Sequence, residues 1–162
     1  MTDGRWHLAQ ANIALGRGHI TEPVMQGFMA QIDEINAVAD RAPGFVWRLQ
    51  TEDGDATSIR LFDEPRMIVN MSVWESIEAL FEYVYRSDHL RVLRTRKDRF
   101  DKLEGPHTVL WWIPSGTTPD VTEIPRRLDM LARDGPTPEA FSLRRLFDAD
   151  GRLIDAPGRK TT

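Results

Sequence analysis

The chain has 162 residues, 21 Lys and Arg against 25 Asp and Glu, a net charge of -4, no cysteine and five tryptophans. That length fits one domain with a substantial core, and the missing cysteines exclude disulfides, thiolate catalysis and cysteine-ligated metal. The densest basic stretch, Arg91 to Lys102, is interrupted by Asp98 and Asp101, so nucleic acid is not an expected partner.

The first residues, Met1-Thr2-Asp3-Gly4-Arg5, lack a charged-then-apolar leader pattern. No apolar run approaches the roughly 20 residues that span a bilayer. The expectation is a cytoplasmic protein without a membrane partner. Burying so much indole favours either a ligand pocket or a large interface.

In chain order, Trp6 to Ile13 reads as a first strand, broken by Gly16-Arg17-Gly18. Thr21 can cap a helix with Pro23 in its first turn, and Met25, Phe28, Met29, Ile32, Ile35 and Ala39 recur at helical spacing as far as about Asp40. Ala42-Pro43-Gly44 stops it. Phe45 to Gln50 reads as a second strand with Phe45, Trp47 and Leu49 on one face, and Asp53-Gly54-Asp55 marks a turn. Met67 to Trp74 is a third strand. Ser76 caps a second helix with the stripe Ile77, Leu80, Phe81 and Val84, and Ser87 restarts helix towards Phe100. Thr108 to Ile113 is a fourth strand, closed by Pro114-Ser115-Gly116.

The order β-α-β-β-α-β is the split βαβ pattern of ferredoxin-like domains, an α+β class with a four-stranded antiparallel sheet. A helical extension comes next, from Thr122 to Arg133 with Leu128 and Leu131 inward, and Phe141 to Phe147 reads as a short fifth strand. The expected division is a single domain over residues 1–150, with its core at 6–114 and its extension at 115–150, then a flexible tail at 151–162.

A sheet with helices on one face and water on the other alternates apolar and polar residues. Here Val109-Leu110-Trp111-Trp112-Ile113 is apolar on both faces, and in the third strand Ile68 and Trp74 share the mixed face with Asn70 and Ser72. The second face needs a cover. A second copy is the simpler one and predicts a homodimer; the alternative is that the C-terminal extension folds over it.

Four stretches carry a family resemblance: Pro43-Gly44-Phe45-Val46-Trp47-Arg48-Leu49; Asn70-Met71-Ser72-Val73-Trp74-Glu75-Ser76-Ile77-Glu78-Ala79-Leu80; Tyr85-Arg86-Ser87-Asp88-His89; and Leu110-Trp111-Trp112-Ile113-Pro114-Ser115-Gly116. They resemble a bacterial family of unknown function grouped with the dimeric α/β-barrel proteins, which include the antibiotic-biosynthesis monooxygenases. The resemblance spans about residues 6 to 143. It departs at Arg99-Phe100, where that pattern often has Trp-Phe, and at Thr117, where it often has histidine.

Asn70 and Trp74 lie four apart on one strand, with Ser72 between them, so all three share a face. The resemblance implies a chemistry for them. Cofactor-independent monooxygenases of that superfamily carry a similar Asn and Trp pair, bind an electron-rich phenol and let its anion reduce oxygen. Asn70 would then donate to the developing oxyanion and Trp74 would wall the ring. The structural alternative is a backbone-bonded Asn70 and a core Trp74.

His89, Leu93, Arg96 and Phe100 share one face if that segment is helical, which makes His89 a candidate base and Arg96 an anion clamp. The alternative is a structural histidine and an ordinary ion pair. Arg48 stands opposite Trp47 and can hold a carboxylate or phenolate. Ser72, Tyr85 and Trp112 complete the candidate substrate wall, with Tyr83 a second candidate proton donor.

His7, His19, His89 and His107 are scattered without ligand spacing, so no metal is expected; a haem held by His89 alone has nothing further behind it. No phosphate loop or dinucleotide fingerprint is present. The function expected is cofactor-free, monooxygenase-like turnover of an aromatic or polyketide-type ligand in a barrel pocket. The alternatives are a cyclase, a hydrophobic-ligand-binding module, or an interaction protein whose tryptophans serve core and interface.

Overall fold

The structure is a computed structural model that describes residues 5–16, 23, 36–49, 67–86, 100–101 and 105–157. Its strands are β1 (Trp6–Gly16), β2 (Phe45–Arg48), β3 (Met67–Trp74), β4 (Phe100–Asp101), β5 (Thr108–Pro114), β6 (Leu146–Phe147) and β7 (Leu153–Ile154). Its helices are α1, helical at residues 36–41, α2 (Ile77–Arg86) and α3 (Glu123–Asp134). No described helix is long and apolar enough to cross a membrane.

β1 is the central strand: it is the longest in the sheet, it pairs on both edges, and one face is wholly apolar through Ala9, Ala11 and Ile13. β3 pairs with it antiparallel from Leu15↔Met67 to Leu8↔Trp74, and β5 pairs on its other edge from Asn12↔Thr108 to Trp6↔Pro114. β2 lies outside β3. The sheet order β2-β3-β1-β5, antiparallel throughout, is that of a ferredoxin-like α+β domain.

The register defines two faces. One carries Leu8, Gln10 and Asn12 of β1, Asn70, Ser72 and Trp74 of β3, and Leu110 and Trp112 of β5. There α2 packs through Ile77 and Leu80, together with Phe141 and Leu146 from the C-terminal stretch. Ser76 Oγ accepts the Ala79 N–H at 3.1 Å, which caps α2 as its sequence requires.

The opposite face carries Ala9, Ala11, Val69, Met71, Val73, Val109 and Trp111, each at most 2% exposed. α3 seats Ile124, Leu128 and Leu131 against it. Burying an aliphatic side chain of that size contributes about 1.5–3 kcal/mol, so this stripe is ample reason for α3 to dock. The face that the strand pattern assigns to a second copy is therefore covered, in this chain, by the extension.

Four local expectations are corrected. β1 continues past Ile13 to Gly16, because Ala14 and Leu15 still meet Ile68 and Met67. Phe100 and Asp101 are strand rather than helix: they pair with Gly16 and Leu15, the part of β1 that β5 does not reach, and so satisfy backbone groups otherwise left open. Phe141 to Phe147 is not one strand. Phe141 bridges Leu110, a turn comes next, and Leu146–Phe147 pairs with Leu153–Ile154. Within the stretch after residue 150, Ile154 and Ala156 pack on the core.

The fourth correction is a bulge. The β2–β3 register shifts between Phe45 and Trp47, where Val46 is 38% exposed. An extra residue in one strand breaks strict alternation. Phe45 consequently packs with α2 while Trp47 and Leu49 pack on the α3 face, so the three do not share a face as the sequence suggests.

Candidate functional site

A polar row runs across the face that α2 packs on. Gln10 Nε2 donates to Asn70 Oδ1 at 3.1 Å and to Ser72 Oγ at 2.9 Å. Asn12 Nδ2 donates to Gln10 Oε1 at 3.2 Å, and Trp74 Nε1 donates to Ser72 Oγ at 2.8 Å. Gln10 and Ser72 are buried, while Asn70 at the end of the row is exposed.

One direction in this row is fixed by chemistry, because the Trp74 indole N–H can only donate. Ser72 must accept there. Gln10 turns its amide N–H2 towards Ser72 and Asn70 and its oxygen towards Asn12. Asn70 Oδ1 is engaged by Gln10, which leaves the Asn70 amide N–H2 facing away from the row. An exposed strand position thus presents oriented amide donors on the helix side of the sheet.

Trp74 is fully buried and is held on several sides. Phe45 meets it edge-on at 5.5 Å and 77°, and Tyr83 of α2 stacks on it at 5.0 Å and 28°. Burial pushes the Tyr83 phenol well above its ordinary range; the Arg48 charge partly offsets this and the Asp40 charge adds to it. Tyr83 is a neutral phenol across the physiological range.

Arg48 falls on this same face, opposite Ser72 in the register, because of the bulge. Its Nε and one terminal nitrogen bind the two Asp40 oxygens at 2.8 and 3.3 Å, a fork that fixes the guanidinium. The Arg48 side chain is 14% exposed.

The structure thus brings together Asn70, Ser72, Trp74 and Arg48 from the expected set. Tyr85 does not join them: it is 46% exposed and packs on Phe81. Helical phase explains this, since two residues turn the chain about 200° away from Tyr83. His89 and Arg96 lie outside the described residues. Phe100, expected beside them, is in β4.

Trp112 is on the same face, flanking Leu8 opposite Trp74, and its Nε1 donates to Phe147 O at 2.9 Å. It borders a separate open cleft of about 460 Å³ shared with Trp6 and Trp111.

Sequence reasoning missed Gln10 and Asn12, and held Tyr83 only as a second candidate proton donor beside Tyr85. The signal for the first two was available: Gln10 and Asn12 alternate with Ala9, Ala11 and Ile13 in β1 at the same period of two that sets Asn70 and Ser72 apart in β3. Two strands with polar residues at matching parity place them across from one another.

The sequence matches the family model described as a domain of unknown function, DUF3291, over residues 7–156. No curated protein matches it. Among solved structures, protein SO0527 from Shewanella oneidensis is similar at 12% identity, covering 68% of this chain and 93% of its own, with a TM-score of 0.47. SnoaB, a cofactor-independent oxygenase from Streptomyces nogalater, is similar at 15% identity, covering 70% and 96%, with a TM-score of 0.45. MupZ from Pseudomonas fluorescens is similar at 11% identity, covering 82% and 81%, with a TM-score of 0.39.

Proposed function

The chain belongs to the DUF3291 family, and we propose that it is a small-molecule enzyme that oxygenates an aromatic or polyketide-type substrate without a cofactor, at Asn70. One observation carries the reading: Gln10 holds Asn70 Oδ1 at 3.1 Å, so the Asn70 amide donors are fixed outward on the helix side of the sheet. A donor held before the substrate arrives costs no reorganisation when charge develops.

The substrate is a polycyclic phenol that is oxidised to a quinone. Its anion supplies the electrons to oxygen. One oxygen atom becomes a new ring carbonyl and the other leaves as water with two substrate hydrogens. Asn70 stabilises the phenolate oxygen. Trp74 does not wall the ring directly; it is a positioning residue that holds Ser72, and through Gln10 it holds Asn70. Arg48, fixed by Asp40, faces the same side and contributes positive charge to the anion. His89 is the base that forms the anion and Arg96 a further clamp; a product of this kind places the chain in secondary metabolism.

Oxygen uptake with an anthrone-type phenol tests this. Asn70→Ala should lower turnover by about a hundredfold, the usual cost of one oxyanion donor, with the fold intact. Uptake unchanged in that variant removes Asn70 from the chemistry. Ring closure without oxygen uptake would identify the cyclase alternative, and tight binding without turnover the ligand-binding module.

The homodimer stays a proposal with a changed requirement. The sheet face can reach a second copy only if α3 leaves it or exchanges between copies, since Ile124, Leu128 and Leu131 now occupy it.

A further inference from the structure

We propose that the open cleft at the far end of β5 binds a neutral polyhydroxylated ring, a sugar or glycosyl group, at a site separate from the Asn70 row. The cleft measures about 460 Å³, within the range of about 300–1,000 Å³ common for small-molecule sites. Its wall includes Trp6, and Asn70 pairs with Asn12 six residues further along β1. At about 3.3 Å per residue the two places lie roughly 20 Å apart along the strand.

Three indoles border it because β1 begins where β5 ends: Trp6 pairs with Pro114, two residues beyond Trp112 and three beyond Trp111. α3 contributes Arg126 and Arg127 to its lining, and the β6–β7 turn contributes Asp148 and Asp150. Several of these groups are held in place before any ligand arrives. Trp112 is tied to Phe147 O at 2.9 Å, and Asp148 Oδ1 accepts the N–H groups of Asp150 and Arg152 at 3.0 and 2.9 Å. Fixed walls reduce the ordering cost of binding.

The charges select the ligand by elimination. A simple anion finds little uncompensated positive charge. Arg126 and Arg127 both bind Glu123 Oε2, at 2.7 and 3.1 Å, and Arg127 also donates to Glu139 O at 2.6 Å. A cation meets the protein's own: the Arg127 guanidinium sits 5.5 Å over the Trp111 ring. A flat hydrocarbon would strip water from Arg126, Asp148 and Asp150 and return nothing. Each polar group left unpaired costs about 1–3 kcal/mol.

A sugar satisfies every wall. Its hydroxyls donate to the carboxylates and accept from the guanidinium nitrogens, and its C–H face lies on indole. Hydroxyl groups replace the water they displace, hydrogen bond for hydrogen bond.

Ligand-observed saturation-transfer NMR on the full chain decides the matter, with methyl β-D-glucopyranoside, maltose and lactose as probes and benzoate, choline and an anthrone-type phenol as comparators. At least one sugar should show transfer to its ring C–H protons and saturate with a dissociation constant on the order of millimolar. Trp6→Ala should weaken that sugar about tenfold, as loss of a tryptophan contact does. Asp150→Asn, at an exposed position, should weaken it several-fold. Asn70→Ala should leave sugar binding unchanged, which separates this site from the oxygenation site. The inference is overturned if none of the three sugars shows transfer, if both cleft variants bind as the parent does, or if only benzoate, choline or the phenol binds there.

Discussion

Asn70 owes its orientation to Gln10, a residue sixty positions earlier in the sequence. Replacing Gln10 by leucine keeps the side chain's bulk and removes both donors. It leaves Ser72, Asn70 and the Asn12 amide short of a partner, at about 1–3 kcal/mol for each buried group left unsatisfied. Gln10→Leu should therefore lower the urea midpoint and also lower turnover, although Asn70 itself is intact. Turnover equal to the parent's would show that Asn70 needs no holding. Tyr83 gives a pH signature. Its folded-state pKa is raised above the usual value by burial, so the folded chain holds the phenol proton more tightly than the unfolded chain. That contribution to stability is complete below about pH 10 and is lost as pH rises above it towards the folded value. The urea midpoint should fall from about pH 9 to about pH 11 more steeply in the parent than in Tyr83→Phe; equal slopes would place Tyr83 in a wetter setting. The placement of Asn70, Ser72 and Trp74 on one face was legible, because strand periodicity is rigid. The choice between Tyr83 and Tyr85 was legible too: Tyr83 lies three residues beyond Leu80 in the stripe, and Tyr85 is out of phase.

At the scale of elements, β3 and the start of α2 adhere closely to their sequence, since a run of β-branched and apolar residues ends just before a serine that caps the helix. The bulge in β2 did not show, because a shift of register depends on the partner strand and Phe45-Val46-Trp47 reads as ordinary alternation. β4 did not show for the same reason: two residues become strand only because β1 has an unpaired end. The junction of β2 and α2 has one close approach that sequence marks with a glycine. Gly44 has φ 80°, its oxygen accepts the Glu75 N–H at 2.8 Å, and a Cβ placed on it would collide with Ala79 Cβ. Gly44→Ala should destabilise the chain by more than about 1 kcal/mol, through both strain and overlap. Gly44→Ala combined with Ala79→Gly should recover the steric part and not the backbone part. A denaturation midpoint unaffected by the single change would mean that α2 does not press on this turn.

At the scale of the whole molecule, the composition of the strands states a need without stating which element meets it. Val69, Met71, Val73, Val109 and Trp111 require a cover, and both a second copy and α3 satisfy that requirement equally well on paper. The deciding factor is proximity: α3 comes after β5 by a short connection, so closing it onto its own sheet costs little chain entropy, whereas a second copy must also surrender its freedom to diffuse. Leu128 and Leu131 are the buried side chains that hold the helix down along its second half. Leu128→Asp with Leu131→Asp places two charges against an apolar sheet and should drive α3 off it. The exposed face then becomes a large apolar patch of the kind that self-associates. Sedimentation velocity on parent and variant at equal micromolar concentration should show the variant shifted towards twice the parent's monomer mass, or beyond it into larger species. The contrary outcome is as informative. If the parent sediments as a dimer and the variant as a monomer, α3 crosses between copies, and the helix that covers the sheet in one chain is also the element that joins two.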